Sequence, residues 1–311
     1  MGLNVEGNQV NEDFRAGFVA VMGRPNVGKS TLMNTLLGQK VAAVSPRPQT
    51  TRRRQLGILT LDNLQAIFID TPGIHIARYK LGAIMNETAA EALEESDLIL
   101  FVVDASEPPG EEDRILANLL RKLKVTVPVI LVLNKADLLN ADAIAGRSEQ
   151  YLELAPGAHA IPVSAASGHN IPTLLEEIAA RLPKNEPFYP EDQITDFYER
   201  EIAADLIREA ALIELRDEVP HGISVRIDEF TERPDGSAYI AATIFVERES
   251  HKGIVIGQGG SMLKTIGSAA RQEFERMSER KVFLQIRVKI RKNWRNDPLS
   301  LKHFGFKSSK G

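Results

Sequence analysis

Residues 23–30 read Gly-Arg-Pro-Asn-Val-Gly-Lys-Ser. Glycines, a lysine and a hydroxyl at this spacing suit a polyphosphate held together with a divalent cation. An apolar run precedes the segment and a helical pattern follows, the context such a loop requires. Glycines let the backbone N–H groups from Gly23 through Asn26, Val27 and Gly28 to Thr31 turn inward around phosphate oxygens, at the positive end of the next helix. Lys29 would reach the outer phosphates, and the Ser30 hydroxyl would ligate Mg2+. Downstream, Asp70 closes the run QAIFID and opens Asp-Thr-Pro-Gly. A carboxylate at that strand end suits the metal shell through water, and Gly73 would offer its N–H to the terminal phosphate.

A third segment selects the base. Asn134-Lys135-Ala136-Asp137 follows the apolar run PVILVL. The Asp137 carboxylate can accept two parallel hydrogen bonds from the N1–H and exocyclic amine of guanine. Adenine would leave it unpaired, a mismatch worth roughly 10⁴–10⁵ in discrimination. Asn134 can hold the other edge of the base and the Lys135 stem can pack on its face. Ser164-Ala165, after HAIPV, completes the series. Four segments in order, each at a strand end, specify a guanine nucleotide site.

These segments resemble translation-factor-type GTPases. The connector SPRPQTTRRR, 45–54, is then the place where a threonine adds to the Mg2+ shell when GTP is bound. Thr50 and Thr51 are both candidates, and the resemblance favours Thr51. Catalysis would rest on Lys29, Thr51 and Gly73. Ile74 stands where Ras-type enzymes carry a water-orienting glutamine, so intrinsic hydrolysis is expected to be slow. The resemblance also implies that a potassium ion can bind at Asn26 and act as an arginine finger does; the alternative is that Asn26 only stabilises the turn. His75 is expected to face solvent.

A second glycine loop, Ile256-Gly257-Gln258-Gly259-Gly260, lacks the lysine and hydroxyl of the first. It precedes the helical stretch SMLKTIGSAARQEFERM and a basic strand, KVFLQIRVKIRKNWR. This resembles a KH module, whose Gly-x-x-Gly loop clamps about four nucleotides of single-stranded nucleic acid. Lys252, Lys264 and Arg271 lie near the loop or on the helix after it. Arg287, Lys289 and Arg291 alternate with Ile286, Val288 and Ile290, so they project from one strand face. Trp294 is expected either to stack on a base or to be buried.

The elements that must position these residues fall into two groups. Up to residue 182, apolar runs at 17–21, 66–70, 98–103, 129–133 and 160–163 alternate with helical stretches, the pattern of a mainly parallel sheet with helices on both faces. Residues 1–14 are expected to be a flexible N-terminus, 15–182 a GTPase domain and 183–197 a proline-rich linker. Residues 198–311 would form a smaller α+β domain: a helix at 198–217, strands at 222–230 and 238–248, a helix at 261–277 and a strand at 281–291.

Bulk properties bound the function. With 311 residues two domains are expected. The chain has no cysteine, which excludes disulfides and cysteine–zinc sites. No apolar run approaches a membrane span and no secretion signal opens the chain, so a cytoplasmic location is expected. The net charge is −4, yet from Lys281 onward nine basic residues face a single acid, Asp297. That tail suits RNA and is compatible with weak peripheral association at the inner face of the cell membrane.

The order GTPase, linker YPEDQITD, KH resembles the Era family over residues 15–305. The resemblance implies GTP or GDP and Mg2+ as ligands. It also implies GTP-favoured binding to the 3′ end of small-subunit rRNA through Gly257, Gly260 and neighbouring cations, and a role in small ribosomal subunit assembly. A monomer that does not bind DNA is expected. Two other readings stand beside it: a GTPase switch for a protein or membrane partner with the C-terminal domain as scaffold, and an RNA-binding module whose nucleotide only stabilises the fold.

Overall fold

The structure, a computed structural model, describes residues 13–44, 51–52, 54–72, 79–122, 127–196 and 199–306. Elements of the first half are β1 (Arg15–Met22), α1 (Lys29–Leu37), β2 (Gln55–Leu61), β3 (Leu64–Asp70), α2 (Lys80–Glu94), β4 (Leu98–Asp104), α3 (Glu111–Lys122), β5 (Val129–Asn134), α4 (Ala141–Leu154), β6 (His159–Pro162) and α5 (Ile171–Arg181). They build a six-stranded sheet in the order β2-β3-β1-β4-β5-β6. All neighbours are parallel except the β2/β3 pair. Strands β3 and β4 are buried at every residue because helices cover both faces. Helices α1 and α5 pack on one face with Leu32, Leu36, Leu174 and Ile178. On the other face lie Ala89 and Leu93 of α2, Leu116 of α3 and Tyr151 of α4.

Strand β1 lies between β3 and β4, so successive crossovers leave it in opposite directions. A crevice opens at the carboxyl ends of the strands at such a point. Asp70, Asp104 and Asn134 each end a strand there.

The second half contains α6 (Glu199–Glu214), β7 (Ser224–Glu232), β8 (Ala238–Val246), α7 (Glu249–Ile256), α8 (Ser261–Ser278), β9 (Val282–Ile290) and α9 (Pro298–His303). Its sheet runs β7-β8-β9, with β7/β8 antiparallel and β8/β9 parallel. The parallel pair needs a long crossover, which α7 and α8 supply. Ile286, Val288 and Ile290 of β9 pack inward against a core that includes Ile266, Ala270 and Phe274 of α8.

Residues 183–196 are threaded along the first sheet. Gln65 Oε1 accepts from the N–H groups of Phe188 and Tyr189, at 2.7 and 3.0 Å. Ile58 N–H donates to Ile194 O at 2.7 Å, and Thr195 Oγ1 donates to Leu56 O at 2.7 Å.

The halves meet at a seam. Leu81 and Met85 of α2 pack with Phe245, Trp294, Leu301, Phe304 and Phe306. Leu81 N–H donates to Arg295 O at 3.1 Å, and the Arg295 guanidinium lies 3.9 Å from the centre of the Tyr79 ring. Lys40 bridges Glu209 and Glu273 at 2.9 and 3.0 Å.

Candidate functional site

The loop after β1 turns at Asn26 and Gly28, with φ of +66° and +97°. A side chain on Gly28 is excluded twice over: its φ is left-handed, and a Cβ there would lie 2.3 Å from Asn134 Nδ2. Val27 is buried, Asn26 is exposed, and Gly23 leads from β1 into the loop. Ser30 and Thr31 sit in the first turn of α1, half-buried. Lys29 is buried; its ammonium donates to the carbonyls of Gly23 and Arg24, both at 2.9 Å. Burial pulls its pKa down to about 8, partly offset by Asp70.

Three oxygens converge beside it. Thr51 Oγ1 lies 2.9 Å from Asp70 Oδ2 and 3.1 Å from Ser30 Oγ, and Ser30 Oγ lies 3.1 Å from Asp70 Oδ2. Asp70 is fully buried, and its Oδ1 has no hydrogen-bond partner among the described residues. Burial pushes the Asp70 carboxyl above its usual range, against the pull of Lys29, Thr51 and Ser30. A buried carboxylate with an orphaned oxygen and two hydroxyls facing it is a donor set that fits Mg2+, a hard cation taking oxygen ligands. Thr50, Gly73, Ile74 and His75 lie outside the described residues.

Asn134 is tied to two loops. It is 3% exposed, and its carboxamide donates to Val27 O at 2.7 Å and accepts from Ala165 N–H at 2.9 Å. The side chain thus braces the phosphate loop against the Ser164-Ala165 loop. Ser164 Oγ in turn accepts from Ser167 N–H at 3.3 Å. The Lys135 ammonium pairs with Asp104 at 2.5 Å. Asp137 is exposed at the rim.

Sequence reasoning missed Asp104 and Arg24. Although burial opposes it, bonds from Lys135 and Ser106 hold the Asp104 carboxyl below the usual range. Its signal was present, since LILFVVD ends on a strand-terminal aspartate as QAIFID does. Arg24 ties the phosphate loop to the segment after β4, with Glu107 at 2.5 Å, and to α3, with buried Asp113 at 3.5 Å.

The second glycine loop joins α7 to α8. Gly257, Gly259 and Gly260 have φ of +72°, +59° and +83°, and Gly257 N–H donates to Gly253 O. A Cβ on Gly257 would strike Met262 at 2.7 Å, whereas one on Gly260 meets nothing within 4 Å. Gln258 and Gly259 are exposed and Ile256 is half-buried. Gly260 caps α8, whose first N–H groups therefore point into the loop. Lys264 and Arg271 are exposed on α8; Arg271 approaches Glu275 at 3.8 Å, and Lys252 approaches Glu249 at 3.7 Å.

The structure does not gather all the expected basic residues. Since Ile286, Val288 and Ile290 face α8, Arg287 and Lys289 lie on the opposite face of the sheet. Arg287 is taken up by Asp228 at 2.9 Å, and Arg291 Nε donates to Ser300 Oγ at 2.7 Å. Trp294 is fully buried and donates to Gly222 O at 2.9 Å, so no base can stack on it.

With this geometry in hand, known proteins are informative. A family model described as a 50S ribosome-binding GTPase matches residues 18–135, and a KH domain model matches residues 218–295. The GTPase Era of Ruminiclostridium cellulolyticum is 47% identical over 96% of this chain and 99% of its own length. That of Geobacter metallireducens is 47% identical over 94% of this chain and 98% of its own. A crystal structure of Era in complex with MgGDPNP and nucleotides 1506–1542 of 16S ribosomal RNA is 40% identical and covers 94% of this chain and 99% of its own, with a TM-score of 0.89. An Aquifex aeolicus Era variant bound to GDP·AlF4− gives the same identity, coverage and TM-score. The chain hydrolyses GTP and belongs to the Era family of GTPases.

Proposed function

We propose that this protein binds the 3′ end of small-subunit rRNA preferentially in its GTP state, acts in small ribosomal subunit assembly, and leaves the RNA on hydrolysis. The observation that carries the reading is the likeness, over nearly the whole chain, to an Era protein crystallised with both MgGDPNP and 16S rRNA.

In this reading the loop from Gly23 to Thr31 cradles the phosphates, with Lys29 on the outer pair. Asp137 reads guanine, while Asn134, Ser164 and Ala165 keep the base pocket in shape. Ser30, Thr51 and Asp70 hold Mg2+, which when bound neutralises charge on the outer phosphate oxygens. Gly73 supports the terminal phosphate. Ile74 has no group to orient water, so hydrolysis is slow without help. Asn26 is the place for a potassium ion that supplies part of that help.

RNA lies along Ile256–Gly260, where side chains would block close approach of the sugar–phosphate chain. Lys252, Lys264 and Arg271 add attraction. Lys289 and Arg291 contribute at most from the far sheet face. The protein acts as a cytoplasmic monomer without a DNA partner. Its basic tail allows weak contact with an anionic membrane surface, and no helix among the described residues is long and apolar enough to cross a membrane.

Gly260→Asp tests the clamp. The site has room for the side chain, aspartate tolerates the left-handed backbone, and its charge repels phosphate. Binding to an RNA matching the small-subunit rRNA 3′ end should fall while GTP hydrolysis in the absence of RNA stays unchanged. Equal binding by both proteins to that RNA and to a scrambled control would refute the clamp.

A further inference from the structure

Thr51 and Arg52 are adjacent in sequence and face opposite ways. Thr51 Oγ1 meets Ser30 and Asp70 in the first domain. Arg52 crosses the seam and is 6% exposed. Its Nη1 donates to Ile223 O at 2.7 Å and its Nη2 to His221 O at 2.9 Å. Its guanidinium lies 5.8 Å from the centre of the Trp294 ring, and Trp294 Nε1 donates to Gly222 O at 2.9 Å. Arg52 and Trp294 together therefore occupy three consecutive carbonyls of the turn at 221–223. That turn leads straight into β7, and Ile223 is fully buried.

One peptide unit, about 3.8 Å between Cα atoms, separates the two residues. A guanidinium fixed by two bonds to backbone leaves its neighbour little freedom. We propose that Arg52 is a positioning residue for the magnesium site: the second domain, by gripping Arg52, sets Thr51 against Ser30 and Asp70. The GTPase centre is then completed across the domain seam. Linkage makes the effect reciprocal, because a metal that holds Thr51 also holds Arg52 in the second domain. This rests on the reading of Thr51 as a magnesium ligand.

The test uses the full chain with Arg52→Ala, Arg52→Lys and Thr51→Ala, each checked for folding by circular dichroism. Trp294, the single tryptophan of the chain, reports on the seam directly. With GDPNP present, Mg2+ is titrated while Trp294 fluorescence is read, and the Mg2+ dependence of GTP hydrolysis is measured in parallel. Arg52→Ala should raise the Mg2+ concentration at the midpoint about tenfold, within the usual range of coupling between linked sites. Arg52→Lys, with one ammonium in place of a two-pronged donor, should fall between it and the wild type. A double variant carrying Thr51→Ala and Arg52→Ala should be no worse than Thr51→Ala alone. If Thr51→Ala raises the midpoint and neither Arg52 variant does, the inference fails and the metal site stands. If Thr51→Ala leaves the midpoint unchanged, the metal reading fails and takes the inference with it. A Trp294 signal indifferent to Mg2+ and GDPNP also overturns the inference. Should Arg52→Ala fail to fold, Arg52→Lys decides.

Discussion

Asn134→Ala separates a structural brace from a base contact. The substitution removes bonds of 2.7 Å to Val27 O and 2.9 Å from Ala165 N–H. Both partner residues are buried, at 0% and 2% exposure, so neither group regains water easily. An orphaned buried backbone group costs about 1–3 kcal/mol. Two of them predict a loss of about 2–6 kcal/mol in the nucleotide-free protein, with water entering the gap at the lower end. Urea denaturation without nucleotide, followed by circular dichroism, reads this loss directly. Calorimetric titration with GDP and GDPNP should show both affinities weakened by a similar factor, because either ligand must reorder the same loops. A variant as stable as the wild type but with weakened nucleotide binding would refute the reasoning and return Asn134 to the base.

Other consequences follow from single contacts. Asp137→Asn exchanges a double acceptor for a donor and an acceptor, which matches xanthine with its carbonyl at C2. Preference between GTP and XTP should reverse in competition binding, and retained preference for GTP would remove Asp137 from base reading. At Asp228 burial raises the pKa, but bonds from Thr243, Arg287 and Arg226 win and hold it at about 2. The native state thus binds fewer protons than the unfolded chain between about pH 4 and 2, so this stabilisation is present above pH 4 and lost as pH falls through 2. Asp228→Asn should be less stable than the wild type at pH 7, with the gap closing below about pH 4 in acid titrations; a gap independent of pH would contradict this. Lys40→Ala leaves Glu209 and Glu273 facing each other at the seam, where burial already raises the Glu209 carboxyl. Docking should weaken by about 1–3 kcal/mol, between the cost of breaking an exposed pair and a buried one, because these side chains are partly exposed. A larger radius of gyration in small-angle scattering would register it, and an unchanged radius would count against a role for Lys40 in docking.

The chemistry was legible in sequence where it depends on backbone geometry and strand ends. Gly23–Ser30, Asp70 and Asn134–Asp137 each sit at the end of an apolar run, and the sheet puts those ends together. Strand β2 was missed because QLGILT follows a run of arginines and contains Gly57, which fits there because Leu37 packs over it: a Cβ would lie 2.6 Å from that side chain. Helix α7 has only eight residues with Gly253 among them, too short to show a period. Helix α9 was also missed, although Asp297 before Pro298 is a recognisable start and its carboxylate accepts from Ser300 N–H at 3.0 Å. Arg52 could not be read at all, since its partners lie about 170 residues away. Trp294, expected either to stack on a base or to be buried, is buried, and its acceptor Gly222 lies 72 residues away in sequence. The bonds of Asn134 to Val27 and Ala165 could not be read either, because a motif predicts proximity and only coordinates show which way a carboxamide points.

The most direct test of nucleotide-controlled RNA binding compares the affinity of the wild-type chain for one RNA in two states. An oligonucleotide matching the small-subunit rRNA 3′ end would be titrated at fixed salt with Mg2+ and GDPNP, and again with Mg2+ and GDP. Tighter binding with GDPNP, by a factor of roughly 5–150 as expected for a coupling of 1–3 kcal/mol, is the predicted result. Equal affinity in the two states would contradict the account.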